Sequence, residues 1–165
     1  MQVFSNTSPL CNLAMIGQLS LLWRFYAQVT IPQAVWMELE ELDHEAARDS
    51  LEDARSAGLI QILPVLNDAM VRLLSEDLHL GESEAIALAY EQKAELLLMD
   101  EHDGRAAAQR LGLHLTGVLG ILRRAKLEGL IPSLQSEITR LRQEAHFFIA
   151  PKLEEALLHS VGEMS

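Results

Sequence analysis

The chain has 165 residues and a formal net charge of -11 at pH 7, from 13 Lys or Arg against 24 Asp or Glu. That length suits one domain with a full core, and that charge excludes a protein gripping nucleic acid through a broad basic face, because such binding draws its affinity from neutralising phosphates. With 49% hydrophobic and only 5% aromatic residues, the composition is globular and helix-favouring rather than disordered, and the acidity leaves room for bound cations.

The single Cys11 sits in an apolar helical stretch with no disulfide partner and no neighbouring base. It reads as a buried, inert thiol and fits a reducing cytoplasmic setting. No early stretch joins a basic segment to a long apolar run, and none reaches membrane-spanning length, so a soluble, unexported protein is expected.

Val3 and Phe4 open a short strand that breaks at Ser5, Asn6 and Thr7. Ser8 with Pro9 predicts a helix start, Ser8 as the cap and proline at the first helical position. Leu10, Leu13, Ala14 and Ile16 keep helical spacing, and after Gly17 the run Leu19 to Phe25 forms a second amphipathic piece. Val29, Thr30 and Ile31 favour a strand that ends at Pro32, where a helix carrying Val35, Trp36, Glu38 and Leu39 begins. Asp43 to Ala57 is charged and alanine-rich, a solvated helix closed by Gly58. Ile60, Ile62 and Val65 mark a third strand, and Asp68 to Ser75 a short helix.

Gly81 to Gly104 then reads as an acidic turn, a helix, a buried strand over Glu95 to Met99 and a second acidic turn. Arg105 to Leu111 predicts a helix capped by Gly112, Leu113 to Thr116 a last core strand, and Gly117 to Leu127 a helix with Leu119, Leu122 and Ala125 inward. Ser133 to Glu144, the F-F-I-A-P stretch and Lys152 to Gly162 make a C-terminal appendage of helix, extended turn and helix. Strands alternating with helices over short connections predict an α/β fold, a parallel sheet of about four to five strands sandwiched by helices. Ligands of such sheets lie at the carboxyl ends of the strands.

The polar residues at those ends are Asn6, Glu38, Glu82, Asp100 and Asp103. Carboxylates forced together repel unless a cation compensates, and an oxygen-only set with no Cys/His spacing points to Mg²⁺ or Mn²⁺ rather than zinc. Each acid also has a plainer role, since acidic residues favour helix N-termini through capping and the macrodipole. Glu82, Glu84 and Asp103 fit that role individually; Asp100, directly after a buried strand, fits it least.

The N-T-S-P-L opening, the I-P-x-A-V-W-x-E-L segment, the G-E-S-E-A-I-A-L-A helix, the L-L-L-M-D-E strand end and the L-T-G-V-L-G-I-L segment occur in this order. Together they resemble the PIN domain, and more narrowly the bacterial branch near the VapC-type toxins. The similarity runs from about Val3 to Pro132, so residues 1–132 are read as the PIN domain and residues 133–165 as a helical extension packed on it.

What the resemblance implies is a Mg²⁺- or Mn²⁺-dependent ribonuclease that leaves a 5′-phosphate and a 3′-hydroxyl, the toxin of a toxin–antitoxin pair, with RNA as substrate, a cognate antitoxin as partner and a homodimer as assembly. Carried over by position, Asn6, Glu38, Glu82 and Asp100 take the four ligand places, Glu38, Glu82 and Asp100 as the catalytic acids. Asp103 fits an accessory acid, and Thr7, Ser8 or Thr116 would orient a ligand or water. Glu84 competes with Glu82 and is read as supporting or solvated. Asn6 departs from the family's first aspartate: an amide ligates without charge, so metal affinity and turnover are expected to fall.

Arg105, Arg110, Arg123, Arg124 and Lys126 form the one basic concentration, and Arg105, near the acidic turn, is an accessory candidate for phosphate contact; solvated helix faces account for the rest. His102 and His114 have no metal-ligand partner. Leu19, Leu22, Trp23, Tyr26 and Trp36, like Leu153, Ala156, Leu157 and Val161, serve either the core or a partner groove. The alternative of another class is a catalytically silent PIN module that binds RNA or a protein. A flavodoxin-like nucleotide binder is disfavoured because no Gly-rich loop follows the first strand.

Overall fold

The computed structural model describes residues 1–164; residue 165, the end of the expected extension, lies outside the described residues. Five strands form one parallel sheet: β1 (Val3–Ser5), β2 (Val29–Ile31), β3 (Ile60–Ile62), β4 (Leu96–Leu98) and β5 (Leu115–Thr116), in the order β3-β2-β1-β4-β5. The sheet is flanked by helices α1 (Thr7–Met15), α2 (Ser20–Phe25), α3 (Gln33–Glu40), α4 (Glu45–Ser56), α5 (Asp68–Leu74), α6 (Leu80–Glu91), α7 (His102–Arg110), α8 (Val118–Leu127), α9 (Leu134–Ala145) and α10 (Pro151–Ser160). This is the α/β/α arrangement expected of a PIN-like fold.

Strand burial shows why the sheet sits in the middle. All residues of β1 and β2 are buried, as are Leu97 and Leu98 of β4, the continuous apolar reading of a parallel sheet covered on both faces. α6 contacts β1 and β4 directly and packs with α3, α5 and α7, while α1 packs with α4, α8 and α9. Leu134, Ile138 and Leu141 of α9 are buried in that packing. Among the described residues no helix is long and apolar enough to cross a membrane.

Several boundaries differ from the sequence reading. β1 extends through Ser5, and α1 starts at Thr7 with Asn6, not Ser8, at its N-cap. Pro9 is therefore the third helical residue, tolerated because first-turn N–H groups have no intrahelical acceptor. The two acidic turns are not turns. Gly81 and Glu82 lie in the first turn of α6, and His102, Asp103 and Gly104 in that of α7, where the macrodipole favours acids. The aromatic and apolar residues of the early helices go inward: Leu19, Leu22 and Trp36 are buried and Trp23 and Tyr26 pack against the core.

The order of strands also sets the position of a crevice. From β1 the chain moves outward through β2 to β3, then returns to β4 on the other side of β1, so the connections leaving β1 and β4 diverge. Ser5 pairs in register with Leu98, and the Asn6 N–H donates to the Leu98 carbonyl at 3.0 Å. This is the switch point at which open α/β sheets present a cleft, and the residues just beyond it are Asn6 and Asp100.

At the far end of the chain, Glu163 holds the start of α9. Its carboxylate accepts from the backbone N–H of Leu134 at 2.6 Å and of Gln135 at 3.0 Å, and from Ser133 Oγ at 3.1 Å. Burial works to raise its pKa, but these donors and Lys126 outweigh it and hold the carboxyl below its ordinary value of 4.5. A lowered carboxyl stabilises the fold above its unfolded-state pKa, and that stability is lost as pH falls through the folded value. Glu163→Ala should therefore cost about 1–2 kcal/mol in urea denaturation at pH 7, with a smaller loss at pH 3.

Candidate functional site

Asn6 is 2% exposed and follows β1. Its Nδ2 donates to Glu101 Oε2 at 3.0 Å, while its Oδ1 is buried without a hydrogen-bond partner. In the first turn of α1, the Thr7 hydroxyl donates to Glu38 Oε2 and the Ser8 hydroxyl to Glu101 Oε1. The three residues after β1 thus present one amide and two hydroxyls to two carboxylates from α3 and from the end of β4.

Asp100 stands directly beyond β4 and Met99. Its Oδ1 accepts from the Val118 N–H at 2.9 Å, and its Oδ2 is the second buried oxygen at the switch point without a partner. Burial pushes the Asp100 carboxyl up to about 6; the Val118 bond opposes this, Glu101 adds repulsion, and Arg105 and the Asn12 side chain offset part of it. Cys11 lies in the same field. Burial first, then the charges of Asp100 and Glu101, raise its thiol to about 12, which keeps it protonated and unreactive.

Glu82 does two jobs from the first turn of α6. One oxygen accepts from the His79 N–H at 3.4 Å, the capping role that its position suggests. The residue is only 8% exposed, and burial, then Glu101, then the weaker influence of Glu38 raise its pKa, against the His79 contacts. Glu82 is therefore both a cap and a member of the acid group.

Three glycines make space for the acids. A Cβ on Gly81 would lie 2.5 Å from Glu38 Oε1, one on Gly104 2.9 Å from Glu82 Oε2, and one on Gly117 would overlap Asp100 Oδ1. Any side chain at these positions would meet a site carboxylate, so close backbone approach, rather than turn geometry, is the reason for these glycines.

The structure brings together Asn6, Thr7, Ser8, Glu38, Glu82 and Asp100, and adds Glu101. Sequence reasoning passed over Glu101 although it stands beside Asp100 in L-L-L-M-D-E. The remaining candidates go elsewhere. Asp103 is 82% exposed beside His102 and lines a 580 Å³ groove with Arg110 between α5 and α7; as the second residue of α7 it points away from the acids. Glu84 Oε1 accepts from the Ala34 N–H at 3.2 Å, supporting the start of α3. The Thr116 hydroxyl lies against Gly120. Arg105 donates to the Met99 carbonyl at 2.7 Å, so part of its guanidinium is spent on the strand end beside Asp100.

Among the described residues no three His, Cys, Asp or Glu side chains stand close enough to hold one ion between them. The donor set nonetheless fits a hard cation. It is all oxygen, two of its atoms are buried and unpaired at neighbouring strand ends, and Mg²⁺-type ions are commonly held by one or two protein carboxylates and otherwise by water and substrate phosphate.

The raised Asp100 pKa has a consequence for metal-free protein. A carboxyl raised in the folded state is destabilising above that value, and the cost disappears as pH falls below the unfolded pKa. With EDTA present, Asp100→Asn should be more stable than native protein at pH 7.5, by at most about 3 kcal/mol, and the advantage should close as pH is lowered from about 6 to about 4 in thermal unfolding.

The family model DUF3368, described as a PIN domain, matches residues 2–163. No curated protein matches the chain. With the parallel sheet, the switch-point acids and a match over nearly its whole length, the chain belongs to the PIN-domain family, whose members generally use divalent metal ions and whose membership points to nuclease-type chemistry on nucleic acid.

Proposed function

We propose that this PIN domain is a Mg²⁺- or Mn²⁺-dependent endoribonuclease and the toxin component of a toxin–antitoxin pair. The observation that carries the metal reading is the pair of unpartnered buried oxygens, Asn6 Oδ1 and Asp100 Oδ2, on adjacent strand ends. Buried oxygens without hydrogen-bond donors are costly unless something else satisfies them.

In this reading Asn6, Glu38, Glu82 and Asp100 would hold the ion. When bound, the ion supplies charge stabilisation at the phosphate and a lowered pKa for water. The protein's part is orientation. Thr7 fixes the Glu38 carboxylate and the Val118 N–H fixes Asp100, so both acids face the substrate in one setting. Glu82, placed among the other acids by the first turn of α6, would stay ionised beside the cation and help align the water that attacks the phosphodiester in line, the departing 3′-oxygen taking its proton from solvent. The products would be a 5′-phosphate and a 3′-hydroxyl.

RNA rather than DNA, a cytoplasmic site of action and a homodimer extend the same reading. Support for a protein partner comes from α5, which has no buried residue, and from exposed Leu66, Leu73 and Leu80 on and beside it in the chain, apolar side chains that a second subunit or an antitoxin would cover. Residues 1–132 form the proposed PIN core, with the remaining C-terminal helices as its extension.

The amide at Asn6 and the lack of three acids around one point favour a second reading, a catalytically silent PIN module that binds RNA or protein. Purified protein incubated with single-stranded RNA and Mn²⁺ separates the two. The nuclease reading predicts cleavage that EDTA abolishes and that Glu82→Gln and Asp100→Asn each reduce by about 100-fold or more. Intact RNA under all conditions, or cleavage indifferent to both substitutions, would favour the silent module.

A further inference from the structure

We propose that Glu101 is a further acid of this site and Asn6 its positioning residue, the amide at position 6 being matched to a carboxylate supplied by position 101. The inference rests on the metal-site reading above and names the residue that completes it.

The two ends of the Asn6 amide meet different surroundings. Its Nδ2 donates to Glu101 Oε2 at 3.0 Å. Its Oδ1, in a residue 2% exposed, has no partner within the protein, so the bond to Glu101 fixes which end of the amide is spent on a carboxylate and which is left as a bare buried oxygen. The Ser8 hydroxyl takes the second Glu101 oxygen. Each carboxylate oxygen has two acceptor positions, so both Glu101 oxygens keep one free after meeting these donors.

An aspartate at position 6 would put a second carboxylate within hydrogen-bonding distance of Glu101 with no donor between them, a like-charge contact that disfavours having both ionised. With asparagine, the Asn6–Glu101 pair brings one negative charge and a neutral oxygen donor to the end of β1. That equals the charge an aspartate would bring beside a neutral partner. The expected weakness of an uncharged residue at position 6 is thereby offset in place.

Mn²⁺ titration of the whole protein by isothermal calorimetry tests this without relying on activity. Glu101→Gln keeps shape and should weaken Mn²⁺ binding about 10- to 100-fold. Asn6→Asp should weaken it too, and the double variant Asn6→Asp/Glu101→Gln, which exchanges donor and acceptor across the pair, should recover to within about 3-fold of native protein. Thermal unfolding without metal should show the same rescue. Native binding that Glu101→Gln leaves unchanged, or that Asn6→Asp tightens, overturns the pairing while leaving the metal site standing. Native protein that takes up no Mn²⁺ removes the metal site and this proposal together.

Discussion

The adjacency of β1 and β4 is the constraint on which the site is built. Parallel strands cannot be joined by a tight turn, so each needs a crossover, and at β1 and β4 these crossovers leave in opposite directions. The two strand ends at this switch point are held side by side, because Ser5 and Leu98 are in register and the Asn6 N–H is bonded across to Leu98. Residues that are far apart in sequence, Asn6 to Ser8 on one side and Asp100 to Glu101 on the other, are thus forced to face each other.

Crowding acids at such a place is costly in metal-free protein, and the surroundings reduce that cost in identifiable ways. Hydroxyls from Thr7 and Ser8, the Asn6 amide and the Val118 N–H each satisfy one carboxylate oxygen. Gly81, Gly104 and Gly117 let backbone come close where a methyl group would collide. What is left over is a raised proton affinity at Glu82 and Asp100 and two unpaired oxygens. That remainder is the property a nuclease site of this family would use, since a site with every oxygen satisfied would have no reason to take up a cation.

Much of the fold was legible because its signals are local. Val29 to Ile31 before Pro32 became β2 and α3 as expected, and Gly58 and Gly112, both at positive φ, closed the elements they were expected to close. Helix starts were less legible, since Ser8 before Pro9 looks like a cap, yet tertiary contact with Glu101 claims its hydroxyl and leaves Asn6 at the cap position. At the site, Glu38, Glu82 and Asp100 could be named from strand ends and family pattern. Glu101 could not: strand alternation predicts opposite directions for consecutive residues, but the strand ends at Leu98, and from the extended N-cap of α7 Glu101 reaches Asn6 and Ser8 while Asp100 holds the Val118 N–H. Asp103 departs from expectation for the complementary reason. In the first turn of α7, three residues past Asp100, it lines the α5–α7 groove instead.

The metal reading is open to direct observation in a crystal structure grown with Mn²⁺, with the ion placed by its anomalous scattering. A peak is expected between the ends of β1 and β4, in contact with Asn6 Oδ1 and Asp100 Oδ2 and within reach of the Glu38, Glu82 and Glu101 carboxylates directly or through water. A map with no peak in this cleft at saturating Mn²⁺, or with Asn6 Oδ1 and Asp100 Oδ2 still unpaired beside an ion bound elsewhere, would be incompatible with a cation site at the switch point.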